Sequence, residues 1–287
     1  MVTAPRPNRA TVRAPIEVRT RAPLSLLTLL ALPGCEGAPP HRSADPAPCV
    51  HGHNDYLQPV PLRTALALGL GSVEADVFLA GGELRVGHDR SQLRPGRTLR
   101  SLYLDPLRAW AAEHAGPARE GERPFVLLVD IKADGDAAWP VLRRELADHE
   151  TMLTRFAGGH IERRAVTVIL SGDRPWRLVA EEQQRLCALD GRLEDLEATP
   201  APSPALVPWV SAAWSRVSSW TGAGALPAEQ RERIARLVAR AHALGLELRF
   251  WGAPDRPEAW RALQALGVDR IGTDRPREAV SALAASR

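Results

Sequence analysis

From Cys49 onward the chain alternates short apolar runs of strand length with longer amphipathic stretches. Cys49 to His53 reads as a strand, and the stretch around Leu62–Leu70 as a helix stopped by Gly69 and Gly71. Ser72–Leu79 is a second strand, and Gly81-Gly82 turns it back into Leu84–Gly87, whose end carries His88. Leu102–His114 places apolar groups at helical spacing. Phe125–Ile131 is a nearly unbroken apolar run, as expected of a strand buried on both faces. A helix over Trp139–Leu153, a strand over Ala165–Leu170, a helix over Trp176–Gln184 and a short strand over Leu186–Leu189 follow, with Leu206–Ala213 as the next strand. Pro227–Leu244 reads as a helix: proline at its start, Ile234, Leu237, Val238 and Ala241 on one face, and Gly245 past its end. Strand Leu246–Trp251, helix Glu258–Leu266, strand Val268–Gly272 and helix Arg277–Ala285 complete the pattern. About eight strand–helix alternations predict a parallel α/β fold, and at 287 residues a (β/α)8 TIM-type barrel over residues 49–287. An open doubly wound sheet is the alternative.

The polar residues that interrupt these runs fall at the C-terminal ends of the strands, where barrel active sites assemble. They are His51-Gly-His53-Asn54-Asp55-Tyr56, then Glu74 and Asp76, then His88-Asp89, then Asp130 and Lys132, the only lysine in a chain that otherwise uses arginine. Side chains alternate faces along a strand, so Glu74 with Asp76, and Asp130 with Lys132, are each expected on one side. Hard cations such as Mg2+ or Ca2+ take oxygen ligands. Glu74, Asp76 and Asp130 supply carboxylates and Asn54 an amide oxygen for such a cation. The imidazoles of His53 and His88 remain for proton transfer, and Lys132 for holding a phosphoryl oxygen. His51 competes with His53 for the role of base. Each residue also has a structural reading: Asp130 and Lys132 as a buried ion pair, Glu74 and Asp76 as edge-strand residues, His88-Asp89 as a loop cap. Arg249 and Trp251 either line the pocket or pack the barrel mouth. Asp274 reads as a turn or helix-capping residue rather than a ligand. His114, His149, His160 and His242 are expected in solvent. Trp209, Trp214 and Trp220 read as core packing, with an aromatic lip for a lipid headgroup as the alternative.

Composition narrows the choices. With 45% apolar and 25% charged residues the chain can bury an ordinary globular core. The formal charge is only +3, and much of the basic excess lies at Arg6, Arg9, Arg13, Arg19 and Arg21, so no nucleic-acid surface is expected. Residues 1–35 read as an exported segment: an arginine-rich start, an apolar Leu24–Leu32 too short to span a bilayer, and Leu32-Pro-Gly-Cys35. That ending resembles a bacterial lipobox, which implies a membrane anchor at Cys35 and an exported or periplasmic location. A plain secretory signal is the alternative. Residues 36–48, rich in Pro and Ala, read as a tether. The three cysteines are too scattered for a zinc cluster, and export would allow Cys49 to pair with Cys187.

The order Glu-x-Asp, then His-Asp, then an acidic-x-Lys strand resembles the glycerophosphodiester phosphodiesterase pattern, as does the terminal Gly272-Thr-Asp-Arg-Pro276. His53-Asn54-Asp55-Tyr56 is similar to a segment of phosphatidylinositol-specific phospholipases C whose His is catalytic and whose Asn binds calcium. Aspartate at position 130 resembles sphingomyelinase D. Together the motifs most resemble the altered inheritance of mitochondria protein 6 branch of this superfamily, over His51 to Pro276. The resemblance implies a metal-dependent phosphoric diester hydrolase, acting as a monomer on a small-molecule or lipid-headgroup phosphodiester. The His-Arg-Gly of the glycerophosphodiesterases is replaced here by His-Gly-His-Asn, so their substrate is not carried over. Two competing readings are a zinc amidohydrolase, whose His-x-His would be joined by Asp274, and a non-catalytic metal-dependent binding protein.

Overall fold

The computed structural model describes residues 49–114 and 123–285. The proposed export segment, the tether and Cys35 lie outside them.

In chain order the strands are β1 (Val50–Gly52), β2 (Ser72–Ala80), β3 (Glu83–Val86), β4 (Phe125–Ile131), β5 (Arg155–Ala157), β6 (His160–Glu162), β7 (Val166–Gly172), β8 (Gln184–Arg185), β9 (Cys187–Gly191), β10 (Trp209–Ala213), β11 (Glu247–Trp251) and β12 (Arg270–Thr273). β1, β2, β4, β7, β9, β10, β11 and β12 pair in parallel in that order, and β12 returns to β1. The result is the closed eight-stranded (β/α)8 barrel expected from the alternation. β3 adds to β2 as an antiparallel hairpin.

Period-two alternation explains the layers. On β2, Val73, Ala75 and Val77 face outward into the core shared with the helices. Glu74 and Asp76 therefore face the barrel interior. On β4, Leu127, Val129 and Ile131 face the helices, while Val126 and Leu128 point inside with Ile169, Ala188 and Trp209. Along β4, β9 and β10 the barrel interior is thus apolar where the strand begins and polar where it ends.

The helices are α1 (Arg63–Ala67), α2 (Asp105–His114), α3 (Gly135–Ala147), α4 (Trp176–Ala180), α5 (Ala228–Ala243), α6 (Pro257–Ala265) and α7 (Pro276–Ala284). Proline opens α6 and α7 at a first-turn position whose N–H has no helical partner in any case. α1 is shorter than the helix expected over Leu62–Leu70: Leu62, at φ 58°, precedes it, and it stops at Ala67 ahead of Gly69, at φ 69°. α4 stops at Ala180, and Gln184–Arg185 is instead a strand of a small antiparallel sheet with β5 and β6. That sheet was not expected; its Phe156 joins the interior cluster.

Several side-chain expectations change. His149 is fully buried, 2.9 Å from Asp105 Oδ1 and 2.6 Å from the Glu145 carbonyl. His242 is mostly buried against Asp269 at 2.9 Å. Both are structural partners rather than solvated groups, because each finds an acceptor on a neighbouring element. Trp209, Trp214 and Trp220 are buried, as core packing requires. Cys49 and Cys187 are not joined to each other, and burial pushes the Cys187 thiol up to about 12.

Candidate active site

The C-terminal rim gathers the residues singled out above. The ladder sets Asp76 beside Asp130 on adjacent strands. Glu74, Asp76 and Asp130 each offer a carboxylate oxygen within 4.8 Å of the others. Three like charges this close need compensation, and two cations provide it. Lys132 Nζ lies 3.0 Å from Asp130 Oδ2 and 3.2 Å from Asp76 Oδ2. Arg249, from β11 across the barrel, donates to Glu74 Oε2 at 2.5 Å.

Asp76 is the hub. Its Oδ2 accepts from Tyr56 Oη (2.9 Å), His88 Nδ1 (2.8 Å) and Lys132 (3.2 Å), yet its buried Oδ1 has no hydrogen-bond partner. The β2–β3 hairpin delivers His88: Gly87 N donates to the Asp76 carbonyl, and Gln92 Oε1 accepts from His88 N at 2.8 Å. Tyr56 Oη is also 2.8 Å from Asn54 Oδ1, which brings the amide next to the acid trio. Asn54 reaches that position in the left-handed region, φ 47° and ψ 43°, which asparagine tolerates better than most residues.

The two candidate bases differ. His51 is fully buried in β1, where its Nε2 donates to Glu74 Oε2 at 3.2 Å and its Nδ1 accepts from Ser72 Oγ at 2.9 Å. Burial, then the Arg249 charge, lowers its pKa to about 3, so it stays neutral. His53, one turn of the chain later, is partly exposed, and its Nδ1 lies 2.7 Å from Asp274 Oδ1. Asp274 is therefore a histidine partner, not the capping residue expected; Arg275 occupies the cap of α7. A cavity of about 100 Å³ adjoins this pair, lined by His53, Arg249, Trp251, Thr273 and Asp274. Arg249 and Trp251 thus both reach the pocket, the first buried and the second half exposed.

Burial alone would raise the Glu74 carboxyl, but Arg249 and then His51 outweigh it and hold the group well below the carboxylate range. Asp130 moves the other way: burial and the Glu74 charge raise it, against the pull of Lys132. Burial would lower Lys132, but Asp130 and Asp76 raise it, so the ammonium is held charged. Gly172, at φ 68°, lets the end of β7 pass against Asp130: a Cβ there would lie 2.3 Å from Asp130 Oδ1 and 2.3 Å from the Ile131 carbonyl.

The chain is a closed (β/α)8 barrel that carries a phosphodiesterase-type domain. Within it, residues 41–190 match the AIM6-like phosphodiesterase domain, and the chain belongs to that family. It is 33% identical to the altered inheritance of mitochondria protein 6 homolog of Arthroderma benhamiae, over 81% of this chain and 82% of that protein. Two solved structures share the fold. A glycerophosphodiester phosphodiesterase from Parabacteroides distasonis has a TM-score of 0.50 and 16% identity, covering 83% of this chain and 97% of its own. A calcium-dependent phosphoinositol-specific phospholipase C from Pseudomonas sp. has a TM-score of 0.54 and 12% identity, covering 81% and 91%.

Proposed function

We propose that this protein is a divalent-cation-dependent phosphoric diester hydrolase working by histidine acid–base chemistry. The observation that carries the reading is the pairing of two imidazoles with carboxylates at the acid trio: His53 with Asp274 beside it, and His88 with the trio's own Asp76. An ionised carboxylate only accepts, so each histidine carries its proton on Nδ1 when neutral and presents Nε2 to the barrel mouth.

The acid trio suits a hard cation. Three carboxylates against Lys132 and Arg249 leave a net charge of about −1, and Asp76 Oδ1 lacks a partner. A divalent ion would bring the site to about +1, which a singly charged phosphodiester then balances. Glu74, Asp76 and Asp130 would hold the ion, with Asn54 adjacent, as Mg2+ or Ca2+ chemistry prefers. When bound, such an ion neutralises phosphoryl charge and orients the ester.

His53 Nε2 takes the proton of the attacking hydroxyl, from water or from the substrate itself, and Asp274 stabilises the imidazolium that forms. His88 acts from its protonated form: with Nδ1–H held by Asp76, it gives its Nε2 proton to the leaving alkoxide. Lys132 offsets charge that builds on the phosphoryl oxygens. His51, with both ring nitrogens engaged and no exposure, orients Glu74 rather than moving protons. The all-carboxylate cluster and the phosphodiesterase family speak against the zinc amidohydrolase reading.

The test is turnover of a chromogenic phosphodiester by the full chain, with EDTA and with Mg2+ or Ca2+ restored. EDTA should stop the reaction and the cation revive it, and His88→Ala should lower kcat by roughly 10²- to 10⁴-fold with the fold intact. Full turnover in EDTA, or in purified His88→Ala, contradicts the mechanism. Metal-dependent binding without turnover across a broad diester panel would mark a binding protein instead.

A further inference from the structure

Asn54 and Asp76 are joined through one phenol. Tyr56 is 3% exposed, and its Oη lies 2.9 Å from Asp76 Oδ2 and 2.8 Å from Asn54 Oδ1. A phenol has a single proton to give, and both of these oxygens accept. The carboxylate takes it, since a hydrogen bond to an ionised acceptor is roughly twice as strong as a neutral one. Asn54 must therefore donate. A half-turn of its amide brings the NH2 to face Oη without moving any other atom, and puts the carbonyl at the opposite end. At that end the side chain makes no hydrogen bond among the described residues.

The relay runs from the Asn54 NH2 to Tyr56 Oη, and from the Tyr56 O–H to Asp76 Oδ2. It leaves two oxygens over. One is the Asn54 carbonyl. The other is Asp76 Oδ1, which is buried and has no donor, whereas Oδ2 takes three: Tyr56, His88 Nδ1 at 2.8 Å and Lys132 Nζ at 3.2 Å. Three donors exhaust the lone pairs of one carboxylate oxygen, so only Oδ1 is left to meet a cation. The phenol is pinned before any ion arrives. Arg97 Nη2 donates to the Tyr56 carbonyl at 2.9 Å, and the neighbouring Asp55 is held by Leu62 N and Tyr103 Oη.

From this relay we infer that Tyr56 is a positioning residue for the cation: it turns the Asn54 carbonyl toward the ion and restricts Asp76 to binding through Oδ1. The inference rests on the phosphodiesterase reading, and on its divalent cation in particular. Tyr56 does not touch the ion. It ties together two ligands that belong to different parts of the barrel, since Asn54 follows β1 and Asp76 lies in β2. Without the hydroxyl, Asn54 is an unanchored amide on a residue in the left-handed region, and Asp76 regains a lone pair on Oδ2 and the freedom to turn its carboxylate. Groups one hydrogen bond behind a metal's ligands commonly govern metal affinity by roughly 10- to 100-fold.

The test is calorimetric binding of Mg2+ or Ca2+ alone to the full chain, with no substrate present. Tyr56→Phe should raise Kd by roughly 10- to 100-fold. Asn54→Gly removes the amide at a position whose left-handed backbone glycine adopts readily, and it should raise Kd as well. In the double variant the two losses should multiply to less than their product, because Tyr56 acts partly through Asn54. A merely structural role for the phenol would make the losses independent, and a full product overturns the relay. So does an unchanged Kd in Asn54→Gly, a result that needs no change to the buried phenol. Tight binding by the parent and equally tight binding by Tyr56→Phe sinks the positioning role and leaves the hydrolase standing. A parent that binds neither ion removes the cation, and the proposed mechanism falls with it.

Discussion

His53 Nδ1 lies 2.7 Å from Asp274 Oδ1, although 221 residues separate them in the chain. The contact crosses the seam where β1 pairs with β12, and His53 N also donates to the Thr273 carbonyl at 3.0 Å. The backbone thereby fixes the imidazole and its carboxylate together. Asp274→Asn keeps the shape but removes the charge that stabilises an imidazolium. We expect kcat to fall roughly 10- to 100-fold with little change in KM, less than for a fully buried pair because Asp274 is largely exposed. Steady-state kinetics on a chromogenic diester measure this, and an unchanged kcat removes Asp274 from the mechanism.

The net charge of the acid trio has a thermal consequence. A cation that binds only the folded state stabilises it by about 2.7 kcal/mol at a hundredfold excess over Kd. Mg2+ or Ca2+ should therefore raise the Tm of the parent protein by several degrees. Asp130→Asn removes one of the three carboxylates and should largely abolish that rise. A rise of equal size in the variant places the bound ion elsewhere.

Asp55 couples the Asn54–Tyr56 segment to pH. It is buried, and its Oδ2 accepts from Leu62 N at 2.6 Å and Tyr103 Oη at 3.0 Å. Burial dominates these bonds and raises its pKa from 3.8 to about 6. Between those values the folded state binds the extra proton, so this contribution is fully present below pH 3.8 and is lost as pH rises through 6. Asp55→Asn removes the dependence. Relative to the parent, the variant should gain stability between pH 4 and 7, by up to about 3 kcal/mol. Denaturant unfolding of both proteins at several pH values checks the sign; a parallel pair of curves refutes it.

Gly172 shapes the Asp130 side of the rim. An alanine Cβ would strike both the Asp130 carboxylate and the Ile131 carbonyl, at a positive φ that side chains seldom adopt. Gly172→Ala should cost roughly 1–3 kcal/mol of stability and reduce turnover more than the loss of fold explains, through a displaced Asp130. Activity per folded molecule that matches the parent would confine the effect to the backbone.

The barrel was legible because its signal is local: apolar runs of strand length separated by helical periods, as in Phe125–Ile131 and Ala228–Ala243. Glu74, Asp76, Asp130, His88 and Lys132 were legible for the same reason: the three acids interrupt apolar strands whose alternation gives their face, and Lys132 and His88 directly follow β4 and β3. Residues defined by long-range contact were not. Asp274 locally looks like a turn or cap residue ahead of a helix, and Arg249, although a rim candidate from its strand, shows its partner only when the barrel closes it on Glu74. Tyr56 reads in sequence only as part of a motif, because nothing nearby shows that its hydroxyl meets Asp76. The β5–β6–β8 sheet escaped notice because its strands are only two or three residues long.

The seam between β1 and β12 has one more implication, for biosynthesis. Since the histidine directly follows the opening strand and its acid lies in the turn after the last, a nascent chain cannot assemble that dyad until β12 has left the ribosome. A polypeptide cut short before β12 would retain the three clustered acids yet lack the carboxylate that pairs with His53, and under the proposed mechanism it would be born inert.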